Sequence, residues 1–254
     1  MNIVVPIKLV PDLVEELTID HGGASLDMTW LRLIINEFDD HAIEQAILLK
    51  ERSGGTVTII VPNFDGADDI LFTAAAKGAD RLIKLAGDYL EGVNNHALAR
   101  AFADACKELH PDLVLTGVQA HNDLDGPSGP LLAECLGMPY VGYVCGISVS
   151  GSEAIVRKEF PGGLIAETRV TLPAVLGVQA AEQPPRYVAI SKIRQVMKTA
   201  AIDEQEPASL DSGGGPVIEH MFQPESSERA AMIEGDPIKI SARVIEILKE
   251  AGVL

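Results

Sequence analysis

Cysteine is scarce in these 254 residues: Cys106, Cys135 and Cys145 make an odd set with no CxxC pair. That excludes a disulfide framework and a cysteine-rich zinc site, and it suits a reducing compartment where thiols act as small apolar side chains. The histidines, His21, His41, His96, His110, His121 and His220, are scattered without HExxH or paired spacing, so no metal is expected. Long apolar runs are missing too. "TVTIIV" and "DLVLTGV" fall far short of the ~20 residues that span a bilayer, and "MNIVVPIKLVPD" has neither a basic n-region nor a cleavage site. A cytoplasmic chain with no direct membrane insertion is the expectation. Basic residues are outnumbered, 20 Lys and Arg against 37 Asp and Glu, for a formal charge of −17. A nucleic-acid partner is therefore excluded, because Lys and Arg must displace its counterions. The acidity serves solubility, or steering toward a basic partner. Neither GxxxxGK[ST] nor GxGxxG occurs; "SGG" at Ser53 precedes a strand pattern and "SGGG" at Ser212 lies in a linker, so phosphate transfer is disfavoured.

What is present is a hydrophobic share of 47%, enough for a real core. "NIVVPIKLV" is a short β-branched run that reads as a first, central strand. "NEFDDHAIEQAILLK", residues 36–50, places Phe38, Ala42, Ala46 and Leu49 at helical spacing, and "TVTIIVP" follows as a strand. "GADDILFTAAAKGAD" predicts a helix opened by Asp65 or Asp68 and closed at Gly78, before the strand "RLIKLA". "NNHALARAFADACKELHP" predicts a helix capped by Asn94 or Asn95, leading into "DLVLTGV". This alternation implies an α/β fold, a doubly wound parallel sheet with helices on both faces. Past Pro139, apolar and polar residues alternate around "SGSE" and "PGG", which predicts appended antiparallel hairpins and a body ending near Gln179. Residues 203–236, rich in Gly, Pro, Ser and Glu, read as a linker or arm. The last helix, "PIKISARVIEILKEAGVL", carries Ile240, Val244, Ile247 and Leu248 on one stripe and must dock on this body or on another subunit.

Ligands of such sheets sit beyond the carboxyl ends of the strands. "GVQAHNDLDGPSGP" falls there, where a strand gives way to a helix whose N–H groups and dipole favour an anion. Gly126 and Gly129 allow close approach of the main chain, and Ser128 adds a hydroxyl. The competing reading is a capped turn, with Asp125 or Ser128 as N-cap. Asp39, Asp40, Asp123 and Asp125 have no His or Lys at motif spacing, so helix starts and loop solvation account for them better than catalysis. Near residue 187 the apolar series Tyr187, Ile190, Ile193 and Val196 sits among Arg186, Lys192, Arg194 and Lys198, a mixture suited to a partner-facing segment.

Several stretches together resemble the β subunit of electron transfer flavoproteins. They are "IVVPIKLVPD", "NEFDDHAIEQAILLKE", "AAAKGADR", "DLVLTGVQA", "LPAVLGVQAAEQPPRY" and the closing "EILKEAGVL". The resemblance implies a nucleotide-binding α/β domain over residues 1–182, a partner-recognition loop over 183–202, and an arm over 203–254 whose last helix clasps an α subunit. It implies an electron carrier and not an enzyme. AMP, or a second FAD in electron-bifurcating members, would sit in this subunit, and another FAD would be shared with the α subunit. An acyl-CoA dehydrogenase-type flavoenzyme would give electrons and a quinone oxidoreductase would take them. Carried over, the nucleotide shell is Pro6, then Asn36, Glu37, Phe38 and Asp39, then Pro62. It continues through Gly117, Val118, Gln119, Ala120, His121, Asn122, Asp123, Leu124, Asp125, Gly126, Pro127 and Ser128. The recognition loop corresponds to Gln183–Val196, with Arg186, Tyr187 and Ile193 around Ile190 as apolar anchor. Two spellings depart from the family: Glu37 stands where proline is common, and the turn reads Asp125, Gly126, Pro127, Ser128. A nucleotide-binding enzyme or sensor on the same sheet is the alternative from outside the family.

Overall fold

The protein is described here from a computed structural model covering residues 1–89, 93–208, 210–211, 213–224, 230 and 232–254. Its first half is the expected alternation. Strand β1 (Asn2–Pro6) is followed by the short β2 (Leu9–Pro11) and β3 (Leu33–Ile35), then α1 (Glu37–Ser53) and β4 (Thr56–Pro62). Next come α2 (Ala67–Lys77), β5 (Arg81–Leu85), α3 (Asn95–Leu109), β6 (Leu113–Gly117) and α4 (Ser128–Leu136). The second half adds β7 (Tyr140–Ser150), β8 (Glu153–Phe160), β9 (Leu164–Thr171), β10 (Ala174–Val178), α5 (Ile190–Val196), β11 (Ile202–Gln205) and α6 (Pro237–Glu250).

Nine strands form one sheet in the order β11-β5-β4-β1-β6-β10-β7-β8-β9. The strands from β11 to β7 are parallel, and β7, β8 and β9 run antiparallel. Parallel strands must be covered on both faces, and alternate residues here feed two cores. Ile3, Val5, Val57, Ile59, Leu113 and Leu115 pack with α1 and α2, while Val4, Ile60, Ile83, Val114 and Val175 pack with α3 and α4. β1 is central as its apolar run predicts. The chain winds outward from it through β4 and β5, then returns to its other side at β6. The crevice beyond the carboxyl ends of β1 and β6 is thus the switch point where such sheets bind ligands.

Four local readings change. The hairpins around Gly151 and Gly162 form as expected, but "PAVLGV" does not join them. All five residues of β10 are buried, and the strand inserts in parallel between β6 and β7. A continuous apolar run favours such a two-sided position over a half-exposed hairpin. The body also extends past Gln179, because Ile202–Gln205 adds β11 to the sheet edge. Its acids meet cations of β5: Asp203 pairs with Arg81 at 2.9 Å, and Glu204 with Lys84, its partner in register, at 2.9 Å, so a stretch that reads as linker becomes an edge strand. Helix α2 is entered through Gly66 at φ 88, with neither Asp65 nor Asp68 as cap; Asp68 faces Lys84 instead, at 3.1 Å. Pro127, not Asp125 or Ser128, precedes α4. Asn94 does cap α3, accepting from the Ala97 N–H at 2.9 Å.

The arm leaves β11 and crosses the start of α3. Leu210 packs into the second core, and Arg100 Nη2 donates to the carbonyls of Asp211 and Gly213. Asn94 Nδ2 donates to Gly214 O at 2.9 Å. A Cβ on Gly215 would fall 2.9 Å from His96 Cδ2 and 3.2 Å from Asp125 Cβ, so only glycine lets the arm lie this close. Farther on, Met221 N–H donates to Gly23 O at 2.7 Å. α6 begins with Asp236 as a true N-cap, yet none of its residues is buried. Among the described residues, no helix is long and apolar enough to cross a membrane.

Candidate functional site

Three loops meet at the switch point: the exit from β1, the start of α1 and the segment after β6. Asp39, in the first turn of α1 and 3% exposed, joins the other two. Its Oδ2 accepts from the Lys8 N–H at 2.8 Å and its Oδ1 from the Gly117 N–H at 2.6 Å. Burial pushes this carboxyl up to about 6, against the opposing pull of those N–H groups, the Asn36 amide and the Lys8 cation. Asn36 Nδ2 donates to Gln119 O at 2.9 Å, binding the same helix start to the same loop. Gly117 is required by this closeness, since a Cβ would come within 2.6 Å of Asp39 Oδ1 and 2.8 Å of Asn36 Nδ2.

The loop after Gly117 is acidic, and its acids are engaged inward. Asp123 Oδ1 meets Lys8 Nζ at 2.6 Å, with both side chains nearly buried, and its Oδ2 accepts from the Ala120 N–H at 2.7 Å. The Asp125 carboxylate accepts from the backbone N–H of Asn95 at 2.8 Å, at the positive end of α3. Asn95 Nδ2 bonds Asp123 Oδ1 at 2.9 Å and Gly126 O at 2.8 Å. The negative charge of the turn is therefore spent on a lysine and a helix end. α4 starts without a side-chain cap, so its first N–H groups have no intrahelical partner. Asn122 Oδ1 is buried with no hydrogen-bond partner among the described residues, an acceptor that lacks its donor. Uncapped N–H groups beside neutralised acids favour an anion, and the orphaned Asn122 oxygen suits a hydroxyl or amino donor. A nucleotide has both. This set of donors and acceptor is one that a nucleotide's phosphate and hydroxyl or amino groups can meet.

Of the residues expected around the nucleotide, Asn36, Asp39 and the stretch from Gly117 to Ser128 are drawn together by these bonds. Val118 and Ala120 are buried, whereas Gln119, His121 and Leu124 stand exposed, as does Glu37. Phe38 is half-buried. Pro6 and Pro62 are buried at the carboxyl ends of adjacent strands β1 and β4. In the segment after β10, Tyr187 and Ile190 are exposed, at 88% and 63%, and Ile193 is half-buried. Arg186 faces inward. Its guanidinium grips Glu44, whose side chain is 2% exposed, at 2.8 Å and Glu51 at 2.6 Å, and those carboxylates raise its pKa further. Lys8 and Asn95 have structural roles that motif reading missed. The signal for Lys8 was a single cation inside an apolar strand run, which demands a buried partner.

The family model of the electron transfer flavoprotein domain matches residues 30–210. The chain is 32% identical to the electron transfer flavoprotein subunit beta of Clostridium acetobutylicum, over 98% of both chains. It is 30% identical to that of Methylophilus methylotrophus, over 98% of both, and 28% identical to that of Bacillus subtilis over the full length of each. With its doubly wound sheet and a match that runs end to end, the chain belongs to the electron transfer flavoprotein β-subunit family.

Proposed function

We propose that this subunit pairs with an electron transfer flavoprotein α subunit and holds an adenine nucleotide, AMP, at the crevice between β1 and β6. The pair carries electrons from an acyl-CoA dehydrogenase-type flavoenzyme to a quinone oxidoreductase. The observation that carries the nucleotide reading is the loop collar itself. Asp39 ties it together, its acids are neutralised from within, and it opens on the uncapped start of α4 and the unpartnered Asn122 oxygen. AMP supplies no redox chemistry; the flavin shared with the α subunit supplies it. This chain's residues bind and orient. Asn122 offers an acceptor for a sugar hydroxyl or base amino group, and Ser128 and Gly129 offer N–H groups to a phosphate.

Pairing is supported by apolar surface that the chain leaves open. Val14, Trp30 and Ile238 are 93%, 91% and 80% exposed, and the whole of α6 lacks a buried residue. Such surface marks an interaction face. Tyr187 and Ile190 form a smaller exposed pair on the segment assigned to dehydrogenase recognition. Arg186 anchors the base of that segment to α1 through Glu44 and Glu51.

The test is to coexpress the chain with its α subunit, denature the purified complex and quantify released nucleotides. One FAD and one AMP per heterodimer is the expected result. Two FAD would replace AMP by a second flavin and make the complex a bifurcating one. A colourless complex that releases no adenine nucleotide would overturn the proposal.

A further inference from the structure

We propose that Asn95 is the positioning residue of the turn 123–126, setting the phosphate end of the site. This rests on the adenine-nucleotide reading and assigns a role to a residue outside the loops expected from the sequence. Asn95 opens α3 and is 3% exposed. Its Nδ2 holds Asp123 Oδ1 at 2.9 Å and Gly126 O at 2.8 Å, and its backbone N–H holds Asp125 Oδ2 at 2.8 Å. One side chain and its own N–H thus grip three of the four residues of the turn.

The grip has an electrostatic purpose. Two carboxylates and a carbonyl oxygen next to the start of α4 would each repel an anion there. Asn95 engages all three acceptors. Asp125 is placed on the α3 helix end, Asp123 is shared with Lys8 at 2.6 Å, and the Gly126 carbonyl is bonded to the amide. What remains for a ligand at α4 is N–H. Neighbours of Asn95 are held as well: Asn94 bonds Gly214 O at 2.9 Å, and His96 lies against Gly214 and Gly215. The α3 start is therefore fixed from the loop side and from the arm side.

Removing the amide leaves the Gly126 carbonyl unpaired and the Asp123 carboxylate with one donor fewer, while the backbone N–H keeps Asp125, and the loss falls on the phosphate. AMP and adenosine are titrated by calorimetry into nucleotide-free full-length wild-type and Asn95→Ala protein. The Kd for AMP rises about tenfold, the scale of one or two lost hydrogen bonds to charged or buried groups, while that for adenosine changes less than about twofold. A merely structural role would weaken both ligands alike. Asn95→Ser, whose short hydroxyl replaces the amide at the same helix position, is judged by the same ratio if the alanine variant does not fold. Unchanged AMP affinity, or equal loss for AMP and adenosine, overturns the positioning role and leaves the nucleotide reading intact. A wild-type protein that binds neither ligand overturns that reading, and the role of Asn95 with it.

Discussion

Asp39 makes stability depend on pH in an unusual direction. Most buried acids in ion pairs are stabilised as carboxylates, but burial outweighs the bonds here and lifts the carboxyl from 3.8 to about 6. At 1.36 kcal/mol per pH unit that rise is worth about 3 kcal/mol. Between those values the folded protein binds more protons than the unfolded chain, so stability falls as pH rises. The contribution is fully present below pH 3.8 and is lost as pH passes through about 6. About 2 kcal/mol of it changes between pH 4 and pH 6. Asp39→Asn isolates the effect, because every other titrating group is shared by the two proteins. The amide still accepts one N–H, from Lys8 or Gly117, but presents its NH2 to the other, at a cost of roughly 1–3 kcal/mol that does not vary with pH. Urea denaturation of both proteins at pH 4, 5, 6 and 7 and constant ionic strength gives the difference curve. Wild type gains on the variant as pH falls. A flat difference, or one that grows toward pH 7, refutes the reasoning.

Arg186→Ala leaves the Glu44 carboxylate buried without its cation and destabilises by about 3 kcal/mol, measured by chemical denaturation. Arg186→Lys recovers only part, because a single ammonium cannot reproduce the forked contact with two carboxylates. Tyr187→Ala and Ile190→Ala, both at exposed positions, change stability by less than about 0.5 kcal/mol but slow electron transfer from the dehydrogenase in stopped-flow mixing. Equal rates would remove this segment from recognition. Deleting residues 237–254 removes α6 without touching the sheet or the arm contacts to α3, and it weakens heterodimer affinity at least tenfold by analytical ultracentrifugation. An unchanged affinity would remove α6 from the subunit interface.

The alternation of strands and helices was legible because each element buries an apolar face of its own periodicity. The place of the turn after Gly117 was legible for a similar reason, since it lies where a strand run meets a helix start. What escaped depends on partners distant in sequence. Residues 203–205 look like linker until Arg81 and Lys84 are placed beside Asp203 and Glu204. Asp125 looks like the cap of α4, the next helix, until α3 is seen to take its carboxylate across thirty residues of separation. Arg186 sits among exposed apolar residues in sequence, and only the packing of α1 shows that its charge is spent on Glu44. Local spelling specifies elements; it does not say which of two nearby helix ends will win an acid.

The position of β10 has a consequence for synthesis. β6, which leads into the loop of residues 117–128, pairs on one side with β1 and on the other with β10, so its second edge stays open until residues 174–178 have left the ribosome. β7 likewise has no place in the parallel sheet before β10 arrives to bridge it. Non-local pairing of this kind is formed late and leaves strand edges exposed in the meantime. A nascent chain halted at residue 172 therefore has every loop of the site but lacks the strand that closes the sheet beside it. Chains halted at 172 and at 230 on arrested ribosomes differ in protease resistance, the longer one alone protecting the segment from β6 to α4.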